Sequence, residues 1–173
     1  MNTLDIEYIN ANSPYRVTNT TKGKISFVTD FGVEYSVKFD EDDGAFDNNL
    51  HSVPYWFNLT NVNHKTSPGD KKIPLTIICI IEEFFRQNPD ILLYICSTEG
   101  GQQAQRARLF LRWFNGAQQR EKYVIRAMEV RGEEGREEFV AMIVQRSNPN
   151  LNKILERYDA EVAMFNELKP QDI

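Results

Sequence analysis

Apolar and polar residues alternate along the first third of the chain with a period of two. Tyr15-Arg16-Val17-Thr18, Lys24-Ile25-Ser26-Phe27-Val28 and Val33 to Phe39 carry this pattern, and in the last run Val33, Tyr35, Val37 and Phe39 share one face. Between the second and third runs, Thr29-Asp30-Phe31-Gly32 supplies turn chemistry, because Asp bonds nearby amides and Gly takes positive φ freely. A hairpin is expected there. Tyr55 to Val62 reads as a further strand, so the pattern predicts strands over about 15–62. The polar stretch from Asn63 to Lys72, with Pro68-Gly69, is a loop.

The period then changes. A helix is predicted from Asp70 or Lys71 to Gln87, with Pro74 in the first turn, where its missing N–H costs nothing, and Asn88-Pro89-Asp90 as the stop. Leu75, Ile77, Ile78, Ile81, Phe84 and Phe85 wrap more than half of its circumference, which predicts a buried helix. Ile91 to Cys96 is an uninterrupted apolar run of strand length, as in a strand covered on both faces. A second helix from about Gln102 to Asn115 presents Ala107, Phe110, Leu111 and Phe114 as a stripe, with Gly116 expected as its left-handed terminal residue. This helix-strand-helix unit spans about 71–115. A hairpin over about 121–145 pairs Tyr123 to Val130 with Glu138 to Val144. The last helix, about 148–166, starts at Ser147-Asn148-Pro149 and buries Leu151, Ile154, Leu155, Tyr158, Val162 and Phe165. The order of elements predicts one α+β domain over 1–173, a single mixed, largely antiparallel sheet with helices on both faces.

Composition narrows the function classes. With 173 residues, 41% of them hydrophobic and 26% charged, the chain has the profile of a globular protein that folds unaided. A net charge of −5 argues against coating nucleic acid through bulk electrostatics, which needs many cations to displace counterions. Ile77 to Ile81 is the longest apolar run, too short for a bilayer, and Met1 to Asn10 holds Asp5 and Glu7 where a leader would be basic and then apolar. A cytoplasmic protein that neither spans nor crosses a membrane is expected. Cys79 and Cys96 lie in apolar runs and read as reduced, packed thiols, while His51 and His64 lack partners at metal-ligand spacing and read as loop residues. No metal site is expected. The adjacent pairs Glu82-Glu83, Glu133-Glu134 and Glu137-Glu138 point to different faces and read as solvated surface.

The segments Thr76 to Phe85, Leu92 to Cys96 and Arg106 to Phe114, with Asn148-Pro149 further on, resemble a family of short bacterial proteins known as a domain of unknown function. That resemblance implies one domain and no activity. In order of elements the chain also resembles the GNAT-type N-acetyltransferase fold, and Leu109 to Phe114 looks like that superfamily's leucine-tyrosine to glycine-phenylalanine segment. The resemblance implies acyl-CoA as cofactor, held by a Gln/Arg-x-x-Gly-x-Gly/Ala loop whose amides and helix end face the pyrophosphate. Here Thr66, Gly69 and Lys71 stand at those positions, and only Gly69 matches. The tyrosine that acts as general acid in the resembled family falls on Phe110, which has no proton to give.

Two clusters carry candidate chemistry. Lys65, Lys71 and Lys72, with Gly69, surround the start of the first long helix, where dipole and charge both favour an anion or a cofactor phosphate. Arg106, Arg108 and Arg112 gather on the second helix, and Arg108 and Arg112, one turn apart, repel unless a carboxylate, a phosphate or an acidic partner faces them. Solvated lysines and an internal ion pair are the plain alternatives. No residue is assigned a catalytic role, because no base lies near a Ser, Cys or Thr nucleophile in a recognisable pattern. The sequence therefore predicts a non-catalytic or degenerate binding module for a protein partner or an anionic ligand, with no cofactor. The alternatives are a divergent acyl-CoA-dependent N-acyltransferase and a nucleic-acid-associated protein.

Overall fold

The computed structural model describes residues 1–20, 23–42, 51–66, 68–97, 111–112, 114, 116–131 and 137–167. Among them run α1 (Ile6–Asn12), β1 (Thr18–Asn19), β2 (Ile25–Val28), β3 (Glu34–Glu41), β4 (Pro54–Asn61), α2 (Lys72–Gln87), β5 (Ile91–Ser97), α3 (Ala117–Lys122), β6 (Tyr123–Arg131), β7 (Glu137–Gln145) and α4 (Leu151–Glu167). The strands form one mixed seven-stranded sheet in the order β1-β2-β3-β4-β5-β7-β6. Every neighbouring pair is antiparallel except β4 and β5, which are parallel because α2 carries the chain from one end of the sheet to the other between them. The protein is α+β, with the mixed sheet and the helices on both faces that the alternation predicts.

Period-two burial sorts the side chains between two cores. Ile25, Phe27, Val37, Phe57, Leu92 and Ile143 face α1 and α2, where Ile9, Ile77, Ile80, Ile81, Phe84 and Phe85 meet them. Ile91, Leu93, Met142 and Val144 point the other way, against Ile154 and Tyr158 of α4. The first four residues of β5, Ile91 to Tyr94, are buried on both faces of the sheet, whereas Ile95 is exposed. Leu111 and Phe114 of the second predicted helix are helical and buried in the first core, whereas Ala107 and Phe110 lie outside the described residues.

Several local expectations change. Tyr15 and Val17 are buried, but their segment is not a strand, because side chains take the place of a neighbouring strand: Asn10 bonds both the N–H and the C=O of Val17, and Thr76 Oγ1 accepts from the Tyr15 amide. α1 carries no long apolar stripe and buries Ile9; it is fixed by Asp5, whose carboxylate accepts from the Glu7 and Tyr8 amides. Gly116 is extended, at φ −62°, and precedes α3, so it is not a left-handed terminal residue. The buried arc of α2 is rotated from the expected one, since Leu75 is exposed while Thr76 and Glu83 are buried.

Glu83 reverses the reading of its pair as solvated surface. Its oxygens accept from Arg86 Nε at 2.6 Å and Nη2 at 3.2 Å, from Gln87 Nε2 at 3.0 Å and from the Asp5 amide at 2.8 Å. A fully covered carboxylate is tolerable only with this many donors. The same arrangement ties the N-terminal segment to the last turn of α2, where Arg86 also lies over the Tyr8 ring.

Candidate functional site

The head of α2 lies at the end of the molecule where β4 and β5 finish. Their parallel pairing runs only from Pro54 and Ile91 to Phe57 and Tyr94. Beyond that point β4 stays on β3 through Asn61, and β5 stays on β7 through Ser97. The sheet therefore opens between Asn58–Asn61 and Ile95–Ser97, leaving two facing backbone edges with no strand between them among the described residues. In sheets with parallel strands, the crevice beyond the strands' carboxyl ends is where ligands commonly bind.

Three segments meet at this end of the sheet. The turn after β2 closes as its sequence predicts: Gly32, at φ +73°, donates to the Thr29 carbonyl, and Thr29 donates to the Val33 carbonyl. Asn63 joins that turn to the loop after β4, bonding the Gly32 carbonyl and the Glu34 amide. Tyr15 joins both to α2, since its hydroxyl donates to Asp70 Oδ2 and accepts from the Asp30 amide. Apolar side chains at this end face solvent, with Phe31 55%, Val62 43%, Leu75 53% and Ile95 40% exposed.

Electrostatics at the head of α2 is settled largely within the chain. Asp70 Oδ1 accepts from the Lys72 amide at 2.9 Å, and the Asp70 carbonyl accepts from the Ile73 amide at 3.3 Å. Pro74 has no amide to offer. Lys72 Nζ bonds Asp30 Oδ2 at 2.8 Å and lies 5.4 Å from the centre of the Tyr15 ring. The hydrogen bond from Lys72 holds the Asp30 carboxyl below its ordinary range, and Asp30 in turn raises Lys72. Burial, then the hydrogen bond to Asp70, pushes the Tyr15 phenol up, so it stays protonated and donates.

The sequence-predicted residues are distributed unevenly over this surface. Lys65 is exposed beside the turn, its ammonium 3.6 Å from where a β-carbon on Gly32 would stand. Lys71 is exposed with helical backbone angles and no side-chain cap, and neither lysine forms an ion pair among the described residues. Lys72 is committed to Asp30. Gly69 is exposed with open space around it. Arg112 is exposed on its helix, and Arg106, Arg108 and Phe110 lie outside the described residues. Tyr15 and Asp30 escaped the sequence reading because partners 55 and 15 residues apart leave no local signal. Asp70 had one, an acidic residue two positions before the first helical residue, Lys72.

Half-buried Cys79 has its thiol pushed up by burial and then by Glu82, which makes it a poor nucleophile. Among the described residues no three His, Cys, Asp or Glu side chains gather as a metal site, and no helix is long and apolar enough to cross a membrane. A family model described as a family of unknown function (DUF6169) matches residues 69–160, just over half of the 173-residue chain. No curated protein and no solved structure matches.

Proposed function

For a chain that belongs to this family of unknown function, DUF6169, we propose a binding module of the cytoplasm whose ligand is an extended, anionic acyl thioester of the coenzyme A class. The ligand's arm lies in the opening between β4 and β5, and its charged end is held by Lys65 and Lys71. The observation that carries this reading is the end of β4–β5 pairing at Phe57 and Tyr94 while both strands continue. An amide-bearing arm satisfies the two open edges as a strand would, since it offers donors and acceptors along its length. Exposed Val62, Leu75 and Ile95 give the mouth apolar surface that an acyl chain or a partner covers.

Acyl transfer to an amine is the second reading, supported by the α2 crossover between the parallel strands β4 and β5 together with the resemblance of the sequence to the GNAT-type order of elements. Phe110 at the position of the general acid weighs against it.

Binding is tested by a thermal shift with coenzyme A and acetyl-CoA. At a ligand concentration one hundred times Kd, mass action adds about 2.7 kcal/mol, which raises Tm by about 5–10 °C in a domain of this size. Lys65→Glu with Lys71→Glu should weaken the interaction about tenfold without lowering the unliganded Tm. Absence of any shift at millimolar ligand sinks the proposal. Release of the coenzyme thiol in the presence of primary amines, above the rate without protein, would move the reading to acyl transfer.

A further inference from the structure

Granting that reading, the head of α2 has an unusual chemistry for a surface that meets a nucleotide-bearing ligand. The amides of the first three residues of α2 offer a diphosphate little. The Lys72 amide is bonded to the Asp70 carboxylate, the Ile73 amide to the Asp70 carbonyl, and Pro74 contributes none. The ammonium of the first helical residue, Lys72, is bonded to Asp30. Asp70 is itself locked in place by the buried Tyr15, whose hydroxyl donates to it while accepting from the Asp30 amide. A carboxylate with one oxygen on a helix amide and the other on a phenol occupies the place and the charge of a bound phosphate oxygen.

We infer that Asp70 is a specificity-determining residue: it fills the anion position of the α2 head, so that the site reads the pantetheine arm and one phosphate and takes nothing from a nucleotide diphosphate. The favoured ligand class is thus a 4′-phosphopantetheine thioester, for which the adenosine end of coenzyme A adds no affinity. Lys65 and Lys71, free of ion pairs among the described residues, serve the single phosphate. A second phosphate at the helix end meets a fixed negative charge, and like charges at contact distance are repelled most strongly where water is scarce.

The test is calorimetric titration of the full chain with 4′-phosphopantetheine and with coenzyme A. Wild-type protein should bind the two within about threefold. Asp70→Asn and Asp70→Ser, the second keeping a helix-capping oxygen without the charge, should tighten coenzyme A about tenfold and leave 4′-phosphopantetheine unchanged. A merely structural role for Asp70 would move both ligands together, or neither. Wild-type protein preferring coenzyme A by tenfold or more overturns the inference, as does a variant that fails to separate the two ligands. If neither ligand binds any variant, the thioester reading itself fails, and the role of Asp70 with it. If 4′-phosphopantetheine binds and the variants do not discriminate, the thioester reading stands and only the role of Asp70 falls.

Discussion

Replacing Phe84 with alanine should destabilise the protein by about 3–5 kcal/mol, the cost of emptying a large aromatic site in a close-packed core. Phe84 is completely buried at the centre of the face between α2 and the sheet. Its ring stacks on Phe39 at 4.8 Å, meets Tyr55 edge-on at 5.7 Å and touches Phe85 at 5.1 Å. Those neighbours come from β3, β4 and α2 itself, so no single element can relax into the space. Urea denaturation measures the effect as a lower midpoint at unchanged slope. A loss below about 1 kcal/mol would mean that the core repacks, and that the aromatic cluster does not hold α2 against the sheet.

Glu83 has the second largest expected effect, and its sign depends on pH. Burial alone would raise its pKa, but the Arg86 hydrogen bonds, the Asp5 amide, the Gln87 amide and the Arg86 charge together outweigh burial and leave the carboxyl depressed. A carboxyl whose folded pKa lies below its unfolded value, about 4.3, contributes stability that is complete above that value. The contribution disappears as pH falls through the folded pKa. Glu83→Ala should therefore cost about 3 kcal/mol at pH 7, because it strands Arg86, Gln87 and the Asp5 amide around an empty position. The gap between wild type and variant should narrow on acidification below about pH 4. Denaturation at a series of pH values checks this, and a difference that grows towards acid would contradict it. Hydrogen exchange adds a local readout: the Asp5 amide, bonded to Glu83 Oε1, should lose protection in the variant while the central β5 amides keep theirs.

The candidate site divides along similar physical lines. Lys65, Gly69, Lys71 and Lys72 stood out because a basic, glycine-containing loop opening an apolar helix is a local pattern; the structure leaves Lys65, Gly69 and Lys71 exposed and bonds Lys72 to Asp30. What that head offers a ligand was not legible. Asp30 comes from the β2–β3 turn and Tyr15 from the segment before β1, and only folding places them on Lys72 and Asp70. Glu83 was misread for the same reason. On its helix it looks like one of two adjacent solvated acids, and its donors include an amide 78 residues away.

By itself the sequence determined which segments are helix and which are strand across most of the described chain, that the first half of β5 is covered on both faces, and that helices flank a mixed sheet. Each of these follows from the spacing of apolar residues within a short window, where backbone geometry fixes which side chains share a face. Only the tertiary structure decided that β4 and β5 separate after Phe57 and Tyr94, that the Asp70 carboxylate takes the Lys72 amide at the head of α2, and that Leu75 faces water while Glu83 does not. Strand separation, hydrogen bonds over long sequence distances and the rotation of a helix about its axis depend on what stands opposite. A local pattern records a residue's own tendency and carries no information about its partner.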